Sequence, residues 1–216
     1  MTHIRIAVGC SMSRDVVICC PERYFSESFQ SYIRNNCLKE DRQWIYNLIS
    51  DESHPLSECV YEQNSDWLLC LDKHPGSDTR FLVVFRDLSL KTIRDLRQIH
   101  TAMLVDMIHK VRTSVRRIMP DWQGVCIYFH YHPSVYQLHA HVCQAEKMHR
   151  SSYNSRRHDL RHVVRNLRTD SLWYHNALIL TSKNKGMRHL VSFEEDRDIS
   201  TADLSINWKA RPMHTI

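Results

Sequence analysis

The sequence predicts an α+β fold built on an antiparallel sheet, and three patterns predict it. DWLLCL (66–71) and RFLVVF (80–85) are apolar runs of strand length separated by the turn DKHPGSD. Residues 128–143, YFHYHPSVYQLHAHVC, alternate apolar and polar side chains on either side of a proline turn. SRRHDLRHVVRNL (155–167) instead repeats like a helix, with Leu160, Val163, Val164 and Leu167 at i, i+3, i+4 and i+7. Strands joined by short turns and interleaved with helices suggest a sheet with helices packed on it.

Taken in order, residues 1–38 are the least readable, although CPERYFSESFQSYIRNN reads as helical in its second half. DRQWIYNLI (41–49) predicts a helix with Trp44, Ile45, Leu48 and Ile49 on one stripe. SDESHPLSE (50–58) is polar and proline-broken, so it predicts a loop and the best boundary. After the strand pair, Ser89 to Met119 follows a helical pattern. GVCIYFHY (124–131) and YQLHAHVCQ (136–144) predict strands around the turn HPSV. The 155–167 helix and a last strand, WYHNALILT (173–181), complete the order. Beyond Lys185 the composition turns polar, which predicts a loosely held tail.

Composition excludes some classes. The chain has 216 residues, enough for one domain or one and a small extra piece. Hydrophobic residues make up 43% and charged residues 25%, an ordinary globular balance. No apolar run approaches the roughly 20 residues of a membrane span, so no membrane partner is expected. The N-terminus, MTHIRIAVGCSMSRD, makes a poor signal peptide. Eight scattered cysteines read as free thiols in a reducing compartment, which predicts a cytoplasmic or nuclear protein. The net charge of +5 is uneven: residues 156–168 hold five arginines against one aspartate. A basic helix of this kind can contact RNA phosphates without sequence preference.

The alternating segment carries the chemistry. Leu138, Ala140 and Val142 share one strand face; Gln137, His139, His141 and Cys143 share the other. The hairpin partner brings His130 and His132 near, one of them on that side. Converging imidazoles allow two chemistries. They bind a metal, with Cys143 as a soft ligand, or they act on phosphate as nucleophile and acid–base without one. The absence of a carboxylate on this strand face, and of CxxC or HExxH anywhere, weighs against metal.

HYHPSVYQLHAHVC resembles the signature of the histidine-triad (HIT) superfamily, in the form HYLPSYYHLHVH used by the scavenger mRNA-decapping enzyme family. QWIYNLI, followed by VYE and then LLCLD, is similar to the hinge of that family. The resemblance runs collinearly from about Tyr24 to about Leu190. It implies a HIT-like domain over 63–192, a short N-terminal helical and hinge segment over 1–62, and a tail over 193–216. It implies metal-independent hydrolysis of the cap pyrophosphate in capped RNA fragments or cap dinucleotide, with no cofactor and no DNA partner, by a homodimer. His139 matches the nucleophile; His130, His141 and Arg156 match phosphate contacts. Ser134, Tyr136 and Gln137 stand where further phosphate contacts would fall. Trp44 matches the aromatic that stacks on the methylated base, Asp72 an acidic contact, and Lys73 a lysine displaced by one position.

Three departures qualify the match. Gln137 replaces the first triad histidine, Val135 replaces a phosphate-contacting tyrosine, and the cap-contacting glutamate falls near His54 or Pro55, leaving Glu52 or Glu58 to substitute. Only 43 residues precede Trp44, which predicts no separate domain closing over the cleft. Two alternatives stay open: a cap-binding relative with little turnover, and a HIT hydrolase of other dinucleoside polyphosphates.

Overall fold

The computed structural model describes residues 6–8, 16–50, 60–72, 81–146 and 157–182. Strands β1 (Ile6–Val8) and β2 (Val16–Cys19) precede helices α1 (Pro21–Tyr24), α2 (Glu27–Cys37) and α3 (Gln43–Ser50). Next come β3 (Val60–Gln63), β4 (Trp67–Leu71), β5 (Phe81–Phe85), α4 (Thr101–Ile118), β6 (Val125–His130) and β7 (His139–Gln144). The last elements are β8 (Arg157–Asp159), α5 (Leu160–Thr169), α6 (Trp173–Asn176) and β9 (Leu178–Ser182). The loop residues 51–59, the turn residues 73–80 and the tail beyond Lys185 lie outside the described residues.

Among the described residues, six strands form one antiparallel sheet in the order β3-β4-β5-β7-β6-β8. A second sheet sets β9 parallel to β1 and antiparallel to β2. The fold is therefore α+β, and the N-terminal segment supplies strands as well as helices.

The two faces of the large sheet differ because side chains alternate. One face presents Phe81, Val83, Phe85, Ile127, Phe129, Ala140 and Val142 to the main core, packed with the apolar sides of α4 and α5. On the other, Leu68, Cys70, Leu82 and Val84 pack with Ile45 and Leu48 of α3. On that same side, β7, β6 and β8 carry His139, His141, Tyr128 and Arg157, in register with one another.

Helix α2 begins where Ser26 Oγ accepts from the Phe29 N–H. Its buried Phe29 and Ile33 stand one turn apart. Gln43 Nε2 donates to the Cys37 carbonyl at 2.7 Å, joining α2 to α3.

Several boundaries differ from the sequence pattern, each for a local reason. The helix expected from Ser89 begins only at Thr101. Asp95 Oδ2 accepts from the N–H groups of Lys91 (2.9 Å) and Thr92 (2.7 Å), and Thr92 Oγ1 accepts from the Arg94 N–H. Those bonds satisfy the backbone outside a helix and hold a short 3-10 turn, Ile93–Asp95. The turn aims the wholly buried Arg94 inward. Its guanidinium donates to the carbonyls of Cys19 (2.7 Å), Tyr174 (3.0 Å) and Ala177 (3.0 Å) and to the Tyr131 hydroxyl (2.6 Å). Arg94 thus ties β2 to the approach to β9.

The helix expected over 155–167 starts at Leu160, because Asp159 caps it and a capping residue is extended. Arg157–Asp159 consequently pair with β6 as an edge strand. The last strand starts at Leu178 rather than Trp173. The Asp170 carboxylate accepts from the Leu172 N–H and leads into the helical turn α6.

Candidate active site

The approach to β7 fixes the central histidine. Leu138 donates its N–H to the Leu90 carbonyl, and its own carbonyl accepts from the Phe85 N–H. Gln137 is wholly buried, and its Nε2 donates to the carbonyls of Phe85 (2.7 Å) and Asp87 (3.0 Å). Side chain and backbone together clamp residue 137 against the end of β5.

That clamp sets the chemistry of His139. The Gln137 carbonyl lies 2.7 Å from His139 Nδ1. A carbonyl only accepts, so Nδ1 carries the hydrogen and Nε2 the lone pair. His139 is 7% exposed. Burial pushes its pKa below the ordinary histidine value, opposed by the carbonyl bond and the charge of Asp72. The ring is therefore neutral at neutral pH, with Nε2 the basic, nucleophilic atom.

Two histidines flank it. The His141 ring centroid lies 5.2 Å from that of His139 and 4.2 Å from that of His130. His141 stacks on Tyr128, with centroids 5.5 Å apart and planes 17° from parallel. The guanidinium of Arg157 stands 4.9 Å from the Tyr128 ring centroid. This layer of cation, phenol and imidazole props the histidines from the β8 side.

The structure brings together His130, His139 and His141, with Asp72 close enough for its charge to act on His139. Trp44 is half-buried on α3, against the apolar cluster beside them. Ser134 is exposed in the turn before β7. Val135 enters the α3 cluster, filling space where the resemblance led us to look for a tyrosine.

Other expected residues are placed elsewhere. Gln137 bonds to backbone carbonyls instead of facing a phosphate site. Tyr136 is 1% exposed in the main core, edge-on to Phe29 and Tyr32, and its carbonyl accepts from the Tyr46 hydroxyl. A phosphate contact would require that ring to leave the core. His132 likewise faces the core, 5.4 Å from Phe29 between ring centroids, so His130 is the hairpin histidine on the site side. Lys73, Glu52 and Arg156 lie outside the described residues. Sequence reasoning missed Tyr128 and Arg157. Tyr128 stands two positions before His130, and alternation alone would have placed it on the same face.

Cys143 sits opposite Cys126 in the β6–β7 register, and neither forms a disulfide. Burial raises the Cys126 pKa. Among the described residues no three His, Cys, Asp or Glu side chains come together as a metal site.

Comparison with known proteins shows the family. Residues 43–158, more than half of the chain, match the family model described as scavenger mRNA decapping enzyme C-term binding. The chain belongs to this family. Its decapping relatives include the m7GpppX diphosphatase of Homo sapiens, 25% identical over 140 residues, which is 61% of this chain and 41% of that protein. The Schizosaccharomyces pombe m7GpppX diphosphatase is 24% identical over 115 residues, 48% of this chain and 36% of that protein. The chain thus spans less than half the length of these decapping relatives. Among solved structures, Hnt3 in complex with DNA and guanosine is 16% identical with a TM-score of 0.42, covering 71% of this chain and 93% of that one. Among the described residues no helix is long and apolar enough to cross a membrane.

Proposed function

We propose that this protein hydrolyses the 5′ cap pyrophosphate of short capped mRNA fragments or cap dinucleotide, releasing 7-methylguanosine monophosphate. His139 Nε2 attacks the phosphorus attached to 7-methylguanosine. The bond from that phosphorus to the bridging oxygen breaks, and the remaining nucleotide leaves as its diphosphate. Water then attacks the phosphohistidine, restoring the imidazole. The observation that carries the reading is the bond from His139 Nδ1 to the Gln137 carbonyl, which leaves a neutral ring with its lone pair on Nε2.

His130, His141 and Ser134 are the groups nearest to hand for the phosphate oxygens, with Arg157 supplying positive charge from β8 and Arg156, its neighbour in sequence, matching a further phosphate contact. Trp44 stacks on the methylated base, a cation–π contact worth about 2 kcal/mol when dry. Asp72, Lys73 and Glu52 complete the base contacts. Family membership supports the substrate class, and the buried role of Gln137 supports turnover without a first triad histidine. Homodimerisation and a cytoplasmic location belong to the same reading.

The test is incubation with methylated and unmethylated cap dinucleotide, with and without chelator. The reading expects 7-methylguanosine monophosphate from the methylated substrate, unchanged by chelator. Tight binding without product would favour a cap-binding protein. Equal turnover of both substrates would favour a hydrolase of other dinucleoside polyphosphates.

A further inference from the structure

A line of arginines leads away from the histidine site and around the edge of the sheet. Arg157 lies on β8, the last strand of the sheet, beside Tyr128. Arg161, Arg165 and Arg168 follow on α5 at intervals of four and three, so they share one helix face about 10 Å long. With Val105 and Ile108 of α4, and Val164 and Thr169, these three arginines line an open groove of about 520 Å³. Arg112 stands half-buried nearby on α4, close enough to feel the charge of Arg161.

The carboxylates that adjoin the groove have other partners: Asp106 pairs with Lys110 at 2.9 Å, and Asp170 accepts from the Leu172 N–H. Asp159 bonds Arg161 at 3.2 Å. Among the described residues, no carboxylate pairs with Arg165 or Arg168, and both are exposed. Like charges held side by side on one helix face repel unless an anion lies across them. The groove offers guanidinium donors at its rim and aliphatic side chains on its floor. That combination fits a sugar–phosphate chain better than a compact anion. Helices α4 and α5 pack on the sheet face opposite the histidines, and the edge strand β8, which carries Arg157, leads directly into α5.

We propose that the α4–α5 groove binds the phosphate backbone of single-stranded RNA, and that it holds the RNA body downstream of a capped end seated at the histidines. The second clause rests on the proposed cap function; binding by the groove itself does not. Guanidinium groups pair with phosphate oxygens through parallel N–H bonds, and the displaced counterions make such binding salt-dependent.

The experiment uses the full chain and the double variant Arg165→Gln/Arg168→Gln. Affinity for an uncapped and a capped 15-nucleotide single-stranded RNA is measured by anisotropy across a salt series, alongside cap-dinucleotide turnover and sedimentation velocity. The variant should lose about tenfold or more in affinity for both RNAs at low salt. Its log–log salt slope should fall by about 1.4, from two lost contacts at about 0.7 each on a single strand. Cap-dinucleotide turnover should stay within about twofold. Should the wild-type protein fail to turn over cap dinucleotide while uncapped RNA still depends on the two arginines, the groove stands and the cap function falls. Unchanged affinity for uncapped RNA in the variant overturns the groove. So does conversion of a wild-type dimer to a monomer with RNA affinity intact, which would make the groove a contact between copies.

Discussion

Gln137→Ala tests how the site is held. The substitution removes two hydrogen bonds, 2.7 and 3.0 Å long, to the carbonyls of Phe85 and Asp87. Each contributes about 1 kcal/mol net, and truncating a wholly buried side chain leaves a cavity, so the loss is about 3 kcal/mol. For a chain of this size about 1 kcal/mol moves Tm by about 2–4 °C, giving an expected drop of about 6–12 °C. The carbonyl of residue 137 also loses its clamp, and with it the His139 tautomer, so turnover of cap dinucleotide should fall by about tenfold or more, roughly 1.4 kcal/mol. Gln137→His is a milder change, because one imidazole N–H replaces two amide N–H groups. It should cost about 1 kcal/mol in stability and alter turnover by less than about tenfold. Thermal unfolding and single-turnover assays on both variants read these effects. An unchanged Tm for Gln137→Ala would refute the clamp, and a gain of several orders of magnitude from Gln137→His would mean that the wild-type site is built for binding.

Trp44→Ala should weaken methylated cap far more than unmethylated cap, since the ring face senses the positive charge of the methylated base; equal losses in a titration would make Trp44 a packing residue only. Stability should also depend on pH through His158, which is 5% exposed and whose pKa is pushed down to about 4 by burial and by the charge of Arg94. The unfolded histidine titrates near 6.5 and takes up its proton first as pH falls. The contribution is therefore complete above about pH 6.5 and is lost as pH falls toward about 4, about 3 kcal/mol in all. Denaturation midpoints between those limits should slope less in His158→Phe; the same slope in both proteins would contradict the assignment.

The sheet was legible where one face is apolar and the other polar. Strands β4, β5, β6 and β7 fall inside the predicted runs, because Leu, Val and Phe recur at strand length or alternate. Helices α3 and α5 were legible from their apolar stripes, although the start of α5 was hidden by Asp159, whose capping role depends on tertiary pairing of β8. The 89–100 segment misled because Ile93 and Leu96 are buried as they would be in a helix, while Asp95 takes the backbone N–H groups elsewhere. β1, β2 and β3 are three or four residues long, too short for periodicity to register. In the site, alternation placed His139 and His141 on one face. It could not tell that Gln137 turns to the end of β5 or that Tyr136 joins the core, because both lie before the first residue of β7. Arg94 gave no sequence signal at all; a buried guanidinium surrounded by carbonyls is set by contacts with Cys19, Tyr174 and Ala177, far away in the chain.

The central claim is that His139 Nε2 forms a covalent bond to phosphorus. Rapid acid-free quenching of the full chain with methylated cap dinucleotide, followed by peptide mapping under alkaline conditions that preserve phosphohistidine, tests it most directly. The account predicts the 7-methylguanosine monophosphate adduct on His139 alone, absent in His139→Asn while that variant still binds cap within a few-fold. Turnover retained in His139→Asn, or an adduct on His130 or His141, would contradict it.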